Sequence, residues 1–520
     1  MVPARTPAHA SEIELKLEFA PAELARLTSH PALQVSGNPP EQRDLVSIYF
    51  DTPDHALHKA GVYLRIREIG GRFVQTVKAA KSQAALLERH EWEREVSGPT
   101  PDLDGAKGTA LEPLLTPKVR ASLQPVFETR IRRTLCRVAR DETEIEVAID
   151  RGEIGTTTQR CPVYEIELEL KKGEVKELFR LAQLVGEDVP LRLEVKTKAE
   201  RGYELLCDGR LRPERATEID IAPDVTAGAA FRIIAWSCLR QIVANEPPTC
   251  RGQAEALHQM RIGLRRLRAA IAIFAGVVGD DQLEKIKGEL RWITRELGPA
   301  RDLDVFAADI LNPLQASRPS DEAVVAAHAD FEAKRATAYA TAIGAVQSAR
   351  FRAAMLDVAE WIETDSWTGD DDEKHTVRRE RPVAEHARRE LVKLRKWIKA
   401  KGGRLRQLSV PKRHRLRIRA KRLRYGTEFF AATFPGAASA TRRTESLKAL
   451  KDLQDALGGL NDLATHQTLI AGGDEDAAKD QGGAVAGEQL DAAEAKAETL
   501  LLEAEQAFAR FAGAKPFWKP

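Results

Sequence analysis

Acidic and basic residues alternate with apolar residues near the start of the chain. Glu12, Glu14 and Lys16 occupy every second position, and isoleucine or leucine stands between them. This period of two predicts a β-strand with one apolar face for a core and one charged face. Carboxylate oxygens are the ligands that Mg²⁺ prefers, and lysine and arginine bind phosphate oxygens. The segment therefore has the residue types needed to hold a complex of a divalent cation with a phosphate.

The same alternation recurs in five later segments, VYLRIRE, FVQTVK, EIEVAID, YEIELEL and LRLEVKTK, each of which predicts a strand. Their polar faces specialise by sign, since EIELEL is acidic and LRIR is basic. A solvated sheet face explains any one of these strands. If the sheet closes into a barrel, the charged faces line an interior where charges persist only when paired or bound to ions. A closed antiparallel sheet of this kind would bind a cation and a polyanion, whereas an open one would have a solvated charged face.

Seven segments occur in an order that resembles the CYTH family, which includes triphosphate tunnel metalloenzymes, thiamine triphosphatases and class IV adenylyl cyclases. They follow the opening EIELK and read YFDTPDHALHKAGVYLRIRE, QTVK, RHEWE, FETRIRR, EVAIDRGEI, YEIELEL and KTKAERGYEL. The similarity spans residues 12 to about 207. It implies a tunnel-shaped barrel with flanking helices and a hydrolase that converts inorganic triphosphate to diphosphate and phosphate with Mg²⁺ or Mn²⁺. The sequence has no GxxxxGK[ST] motif, so a P-loop is excluded.

The resemblance also implies roles for individual residues. Arg133 matches the family arginine after the FET strand, with Arg132 as the less favoured neighbour, and Glu91 and Glu93 match acidic positions to which we assign no role. The implied catalytic residues are Glu12, Glu14, Lys16, Asp150, Glu167 and Glu169. The implied metal ligands are Glu12, Glu14, Asp150, Glu165, Glu167 and Glu169. The implied substrate-binding residues are Lys16, Arg65, Arg67, Lys78, Arg133, Lys196 and Lys198.

The sequence changes character near residue 210, where strand patterns give way to long segments with helical spacing. The stretch from Asp208 to Asp224 is rich in proline and charge, as linkers are. We predict an α+β chain with a strand domain at residues 10–208, a linker at 209–222 and an all-α domain at 223–515.

A basic motif occurs twice in the helical half. Residues 258–268 read HQMRIGLRRLR and residues 414–424 read HRLRIRAKRLR, at an offset of 156. A second matched pair follows, Leu297-Gly298 and Leu457-Gly458, at an offset of 160. Two ordered matches at nearly one offset indicate an internal duplication. The duplicated residues are His258, Arg261, Arg265, Arg266 and Arg268, which correspond to His414, Arg417, Lys421, Arg422 and Arg424.

Cations spaced three and four residues apart form one stripe on a helix, and each like-charge pair destabilises the helix by about 0.2–0.5 kcal/mol. A solvated face or pairing with acidic helices explains one such stripe, but its duplication favours an anion. This half resembles the CHAD domain, over roughly residues 223 to 515. The resemblance implies two pseudo-symmetric four-helix bundles whose basic helices bind inorganic polyphosphate. Nucleic acid is a weaker alternative, because few aromatic residues lie near the stripes.

The composition argues against a uniformly basic nucleic-acid binder, a disulfide framework or zinc site, and a membrane-spanning helix. The net charge is only +2, the five cysteines include no CxxC pair, and no apolar run reaches 18 residues. The first residues lack the apolar segment of a signal peptide. We expect a cytoplasmic protein, associated with polyphosphate granules, whose partners are inorganic triphosphate and long-chain polyphosphate rather than a membrane. The alternative functions are a non-catalytic granule-targeting protein, an adenylyl cyclase and a triphosphatase for organic substrates.

Overall fold

The computed structural model describes residues 11–34, 40–79, 88–207, 211–364, 373–471 and 483–519. Within these ranges, the side chains of residues 11–12, 88–90, 374 and 461–494 are not described. Every structural statement below refers to the described residues. They form a strand-rich half followed by a helical half, so the predicted α+β class is confirmed.

In the described part of the first half, nine strands form one antiparallel sheet in the order β5-β4-β3-β2-β6-β7-β8-β1-β9. Five short helices flank the sheet. The strands are β1 (Ser11–Glu18), β2 (Glu41–Asp51), β3 (Val62–Ile69), β4 (Arg72–Ala79), β5 (Glu88–Val96), β6 (Gln124–Arg140), β7 (Thr143–Gly155), β8 (Arg160–Lys172) and β9 (Arg192–Leu193). The helices are α1 (Leu24–Thr28), α2 (Ala56–Lys59), α3 (Pro117–Ser122), α4 (Lys176–Asp188) and α5 (Lys198–Leu206).

The sheet curls but does not close into a barrel along its length, so that part of the prediction was wrong. Its margins meet only where Ser11–Ile13 of β1 pair with Glu88–His90 of β5. Further along, β1 pairs with β8 and with the two-residue strand β9. The curl still turns one face of most strands inward, which is the property that the charged-interior prediction required.

The strand predicted over LRLEVKTK was also wrong beyond Leu193. Lys198 begins helix α5 instead, because the Thr197 side chain accepts a hydrogen bond from the Glu200 backbone N–H and the Glu200 side chain accepts one from the Thr197 N–H. This reciprocal capping box satisfies two backbone donors that would otherwise be unpaired at a helix start. The local capping signal outweighs the alternating pattern.

The second half is helical throughout its described residues. Its longer helices pack around a shared apolar core, and shorter helices connect them. The helices are α6 (Ala227–Val243), α7 (Glu246–Cys250), α8 (Ala254–Ile273), α9 (Leu283–Glu296), α10 (Gly298–Phe306), α11 (Asn312–Ser317), α12 (Glu322–Gln347), α13 (Ala349–Glu363), α14 (Glu373–Arg379), α15 (Val383–Gly402), α16 (Val410–Phe429), α17 (Ala437–Ala471) and α18 (Gly483–Gly513).

The predicted duplication is visible in the two basic helices. Helices α8 and α16 have the same length and begin and end 156 residues apart, and they pack against each other. The Leu-Gly pairs differ, however. Gly298 begins the new helix α10, whereas Gly458 lies inside the continuous helix α17. Pro299 follows Gly298 and supplies no backbone N–H, so the first helix is interrupted and the second is not.

One buried apolar cluster joins the two halves. It runs from Leu15 and Leu168 of the sheet through Phe179 of α4 to Phe231 of α6. The segment predicted as a linker contributes Ile219 and Ile221 to this cluster, each about 2% exposed or less. The linker is therefore packed, and the helical half is fixed against the sheet.

Candidate functional site

A cavity of about 620 Å³ lies inside the curl of the sheet and extends to the start of α5 and to α6. Its wall is dominated by charged side chains from β1 to β8. The cationic lining residues are Lys16, Arg43, Arg65, Arg67, Lys78, Arg133, Lys171, Lys198 and Arg240, and the acidic ones are Glu14, Glu91, Glu93, Glu146, Glu167, Glu169, Glu200 and Glu214. The predicted charged interior therefore corresponds to a cavity in the structure.

Strand register places the acidic residues in rows across the sheet. Glu14 of β1 stands opposite Glu169 of β8, which stands opposite Glu146 of β7. Directly paired residues in antiparallel strands have Cα atoms about 4.5–5.5 Å apart, so these three carboxylates share one short row. We call Glu14, Glu146 and Glu169 the acidic row. All three line the cavity.

A second acidic group lies deeper in the same wall. Carboxylate oxygens of Asp150, Glu165 and Glu167 lie within 4.8 Å of one another, and all three residues are buried. Of the three, only Glu167 lines the cavity. We call this set the buried cluster.

Cations already occupy the buried cluster. Lys198 Nζ lies 2.8 Å from Asp150 and 3.0 Å from Glu167 and also bonds Glu165, and Lys16 Nζ donates to Glu167 at 2.6 Å. Burial opposes ionisation of Glu167, yet Lys16, Lys198 and Arg133 outweigh it and hold its pKa well below the ordinary value. Among the described residues, the buried cluster is therefore the group whose carboxylates lie close enough to share a metal ion, and it is also a network whose charges lysine and arginine already match.

The acidic row is less neutralised. Lys171 lies 2.5 Å from Glu169 and 3.8 Å from Glu146, and Lys16 donates to Glu14 at 2.9 Å. The three glutamates keep about a fifth or more of their side-chain surface exposed, at 19%, 23% and 28% for Glu14, Glu169 and Glu146. An all-carboxylate set that opens to a cavity suits Mg²⁺ or Mn²⁺, which take oxygen ligands. The acidic row offers oxygen ligands of this kind at the cavity surface, although among the described residues only the buried cluster brings three carboxylate oxygens within 4.8 Å of one another.

The opposite wall, on β3 and β4, is cationic. Arg65 and Lys78 both bond Glu91, at 3.1 and 2.6 Å. Burial nevertheless lowers the pKa of Lys78, and neighbouring Arg65 adds to the effect. Glu91 thus acts as a counterion for two cations of the cavity wall, a role that the sequence left open.

Arg67 differs from its neighbours on this wall. Its Nε donates to the Ser47 hydroxyl at 3.0 Å, and no described carboxylate lies within ion-pair distance of it. Burial lowers its pKa to about 10, and the charges of Arg65 and Arg133 contribute. Burial and the two neighbouring cations therefore both disfavour the protonated form of Arg67. An anion entering the cavity would stabilise the protonated guanidinium of Arg67.

Most of the predicted tunnel residues converge on this cavity, but not all. Lys196 does not line it and bonds Glu204 on α5. Arg133 faces inward, whereas Arg132 bonds exposed Asp44 at 2.8 Å on the outer face. The side chain of Glu12 lies outside the described residues. Sequence reasoning missed Lys171, which continues the parity of the YEIELEL strand, and Arg43, which lies on a strand that was not predicted. It also missed Trp236, Ser237 and Arg240, which no local pattern places in the cavity.

In the helical half, the predicted stripe separates into exposed and buried members. His258, Arg261 and Arg265 are partly buried on α8 and Arg268 is exposed, while on α16 Arg417, Lys421, Arg422 and Arg424 are partly buried and His414 is exposed. Arg266 is 3% exposed, donates to Gln241 at 2.8 Å and lies over the Phe429 ring. Arg266 therefore belongs to the core of the helical half and lies apart from the other cations.

The two basic helices make matching close approaches. A Cβ placed on Gly298 would lie 3.4 Å from Nη1 of Arg261, and one placed on Gly458 would lie 3.1 Å from Nη2 of Arg417. Both Leu-Gly motifs thus leave room for the first arginine of each basic motif. Arg261 Nε and Nη1 and Arg265 Nε are buried without a hydrogen-bond partner among the described residues. Asp302 is 3.8 Å from Arg261.

The fold and the cavity define a curled antiparallel sheet with a charged interior, fused to a duplicated helical domain with a basic surface. Residues 10–203 match the family model of the CYTH domain and residues 233–471 match that of the CHAD domain. The chain therefore carries a CYTH domain followed by a CHAD domain.

The chain is similar to an inorganic triphosphatase of Haemophilus influenzae, with 32% identity over 197 residues that cover 37% of this chain and 54% of the relative. It thus spans about half the length of that relative. Among solved structures, it resembles the CHAD domain of the plant Ricinus communis, with 26% identity, 58% and 98% coverage and a TM-score of 0.45. It also resembles a Hippeastrum protein described as having a dominant triphosphatase activity, with 18% identity, 39% and 98% coverage and a TM-score of 0.30. In the described residues, no helix is both long and apolar enough to cross a membrane.

Proposed function

We propose that the strand domain hydrolyses inorganic triphosphate to diphosphate and phosphate inside the cavity. The observation that carries this proposal is Arg67, a guanidinium on the cavity wall that has no carboxylate within ion-pair distance among the described residues. Its planar fork suits phosphoryl oxygens. The similarity to an inorganic triphosphatase supports the same class of substrate.

The cationic wall binds and orients the substrate. Arg65, Arg67 and Lys78 bond the phosphoryl oxygens and spread their negative charge, which is the main requirement of phosphoryl transfer. Arg133 and Lys198 extend this field from the adjoining wall. Water attacks a terminal phosphorus, the bridging oxygen leaves with diphosphate, and a cavity carboxylate accepts the proton of the attacking water.

The acidic row, Glu14, Glu146 and Glu169, would hold the divalent cation. When bound, Mg²⁺ or Mn²⁺ supplies Lewis-acid stabilisation of the developing phosphate charge. Before the substrate binds, Lys16 and Lys171 balance part of this row. We expect these lysines to turn toward the phosphate once the carboxylates have another partner.

Arg67→Ala tests this assignment, with phosphate release from tripolyphosphate measured in Mg²⁺ or Mn²⁺ and in the presence of a chelator. The matched control is Arg132→Ala, because Arg132 lies on the outer face and bonds only an exposed aspartate. We expect at least about a hundredfold loss of kcat/KM for Arg67→Ala, consistent with about 3 kcal/mol for a charged hydrogen-bonding group, and little change in the control. Equal activities would contradict the site. Cyclic AMP formation from ATP in the same assay would favour the cyclase alternative.

We also propose that the basic surface of the helical domain, which the cations of α8 and α16 form, binds inorganic polyphosphate. The partnerless nitrogens of Arg261 and Arg265 support this proposal, because buried donors without acceptors are rare. Arg261→Ala with Arg265→Ala should weaken capture on immobilised long-chain polyphosphate, and Lys287→Ala with Lys334→Ala is a charge-matched control from exposed helix faces. Capture that is strong in wild type without any triphosphate hydrolysis would favour the granule-targeting alternative.

A further inference from the structure

Helix α6 of the helical domain forms part of the cavity wall of the strand domain. Trp236, Ser237 and Arg240 all line the cavity. Residues three and four apart on a helix lie on the same face, so Arg240 shares a face with both of the other two. The helical domain is therefore built into the candidate active site as well as packed beside it.

Arg240 fixes the position of this face. Its Nη1 donates to the Val195 carbonyl at 2.9 Å, its Nη2 donates to Glu200 at 2.8 Å, and its Nε lies 3.4 Å from Glu214. Burial opposes the charge of Arg240, but Glu200 and Glu214 outweigh it and raise its pKa. The ion pairs hold α6 against the first turn of α5, so the side chains one turn earlier on α6 have a defined position in the cavity wall.

Trp236 and Ser237, which lie one turn before Arg240 on α6, have hydrogen-bond donors without acceptors. Trp236 is 2% exposed and Ser237 is 7% exposed. Trp236 Nε1 and Ser237 Oγ have no hydrogen-bond partner among the described residues. An indole N–H can only donate, and a helix leaves its own backbone carbonyls paired. An acceptor inside the cavity would give these two donors the partner that most buried polar groups have.

We propose that Trp236 and Ser237 form a subsite of the cavity that donates hydrogen bonds to phosphoryl oxygens of the bound condensed phosphate. The inference rests on the proposed triphosphatase function and deepens it. A condensed phosphate offers only acceptor oxygens, which complements two donors. The nearby carboxylates Glu200 and Glu214 are already bonded to Arg240, so an anion at this end meets less repulsion than the bare residue types suggest.

The subsite predicts a specific kinetic effect. Trp236→Phe keeps the aromatic ring and removes the N–H, and Ser237→Ala removes the hydroxyl. Each change should raise the KM for tripolyphosphate about tenfold, since each removes a hydrogen bond to a charged acceptor. Diphosphate used as an inhibitor is a shorter probe, and its inhibition constant should change less if the subsite holds the far end of the substrate.

Trp361→Phe is the control for loss of a buried indole N–H, because Trp361 is buried in α13, donates to Asp280 at 3.0 Å and does not line the cavity. Tryptophan fluorescence of the full chain supplies a second readout. Tripolyphosphate should change the emission of wild type and of Trp361→Phe but not that of Trp236→Phe.

The outcomes separate the two levels of the proposal. Wild-type KM values in both Trp236→Phe and Ser237→Ala, with normal hydrolysis, would overturn the subsite and leave the triphosphatase intact. An equal loss in Trp361→Phe would mean a general effect on folding and would also overturn the subsite. Failure of the wild-type chain to bind or hydrolyse tripolyphosphate would overturn both.

Discussion

Arg133 and Asp150 face each other on adjacent strands and form a two-pronged ion pair, with Nε 2.7 Å from Oδ1 and Nη2 2.7 Å from Oδ2. Asp150 is fully buried, and Lys198 approaches the same carboxylate at 2.8 Å. Burial disfavours the charged aspartate, but Lys198 and Arg133 more than compensate and lower its pKa. The buried cluster therefore depends on Asp150 for charge balance.

Asp150→Asn should lower the free energy of unfolding by about 3–5 kcal/mol, because it removes a fully buried counterion that Arg133 and Lys198 share. Urea unfolding at pH 7 measures this change. Asp44→Asn is the control, since Asp44 makes a similar 2.8 Å contact with Arg132 on the exposed face, where an ion pair contributes about 0–1 kcal/mol. Similar losses for the two variants would contradict the structural role of the buried cluster.

Glu169→Gln should increase the concentration of Mg²⁺ or Mn²⁺ needed for half-maximal activity by about tenfold or more, because it removes one carboxylate of the acidic row. Titration of the metal in the phosphate-release assay measures the shift. Glu153→Gln is a suitable control, since Glu153 lies on a neighbouring strand and pairs with Arg160 away from the cavity. An unchanged metal requirement together with a shift in Glu165→Gln would instead place the metal at the buried cluster.

Glu246 should make the stability of the protein fall as pH rises toward neutrality. Burial raises its pKa to about 7, although Arg192 at 3.8 Å lowers it in part. Between roughly pH 4.5 and 7, the folded protein holds a proton that an unfolded glutamate has lost. Since the folded state binds more protons in this window, its free energy of unfolding decreases with pH, by about 3 kcal/mol in total.

The Glu246→Gln side chain stays uncharged across this pH range. Its stability advantage over wild type should therefore grow from pH 5 to pH 8, as measured by urea unfolding across this range. Glu322→Gln, at an exposed helix start, should show no such trend. A difference between Glu246→Gln and wild type that stays constant with pH would contradict the raised pKa.

Polyphosphate binding by the helical surface should strengthen as pH falls below 6. Burial lowers the pKa of His258 to about 4, and the charges of Arg301 and Arg265 contribute. A bound polyanion offsets those positive charges and raises the pKa, so the complex takes up a proton and gains affinity at lower pH. Kd values at pH 5.5 and 7.5 should differ less for His258→Asn than for wild type. His328→Asn, on a separate helix, should behave as wild type does.

The sequence by itself determined the alternating strands, the sign of each charged face and the duplicated basic helices. These features depend on fixed local geometry, because side chains alternate every two residues in a strand and recur every 3.6 residues in a helix. The CYTH and CHAD matches confirm the family resemblance that was drawn from these segments. The same local geometry also contained Lys171, which faces the cavity with Glu167 and Glu169 of its own strand.

Only the tertiary structure decided which charges neutralise one another. Asp150, Glu165 and Glu167 share a face in the sequence pattern with Glu14 and Glu169, yet strand register and burial divide them into an ion network and a row that opens to the cavity. Likewise, no spacing rule brings Trp236 to the cavity. Those placements depend on contacts between residues far apart in the chain, which are fixed only when the two domains pack on one apolar core.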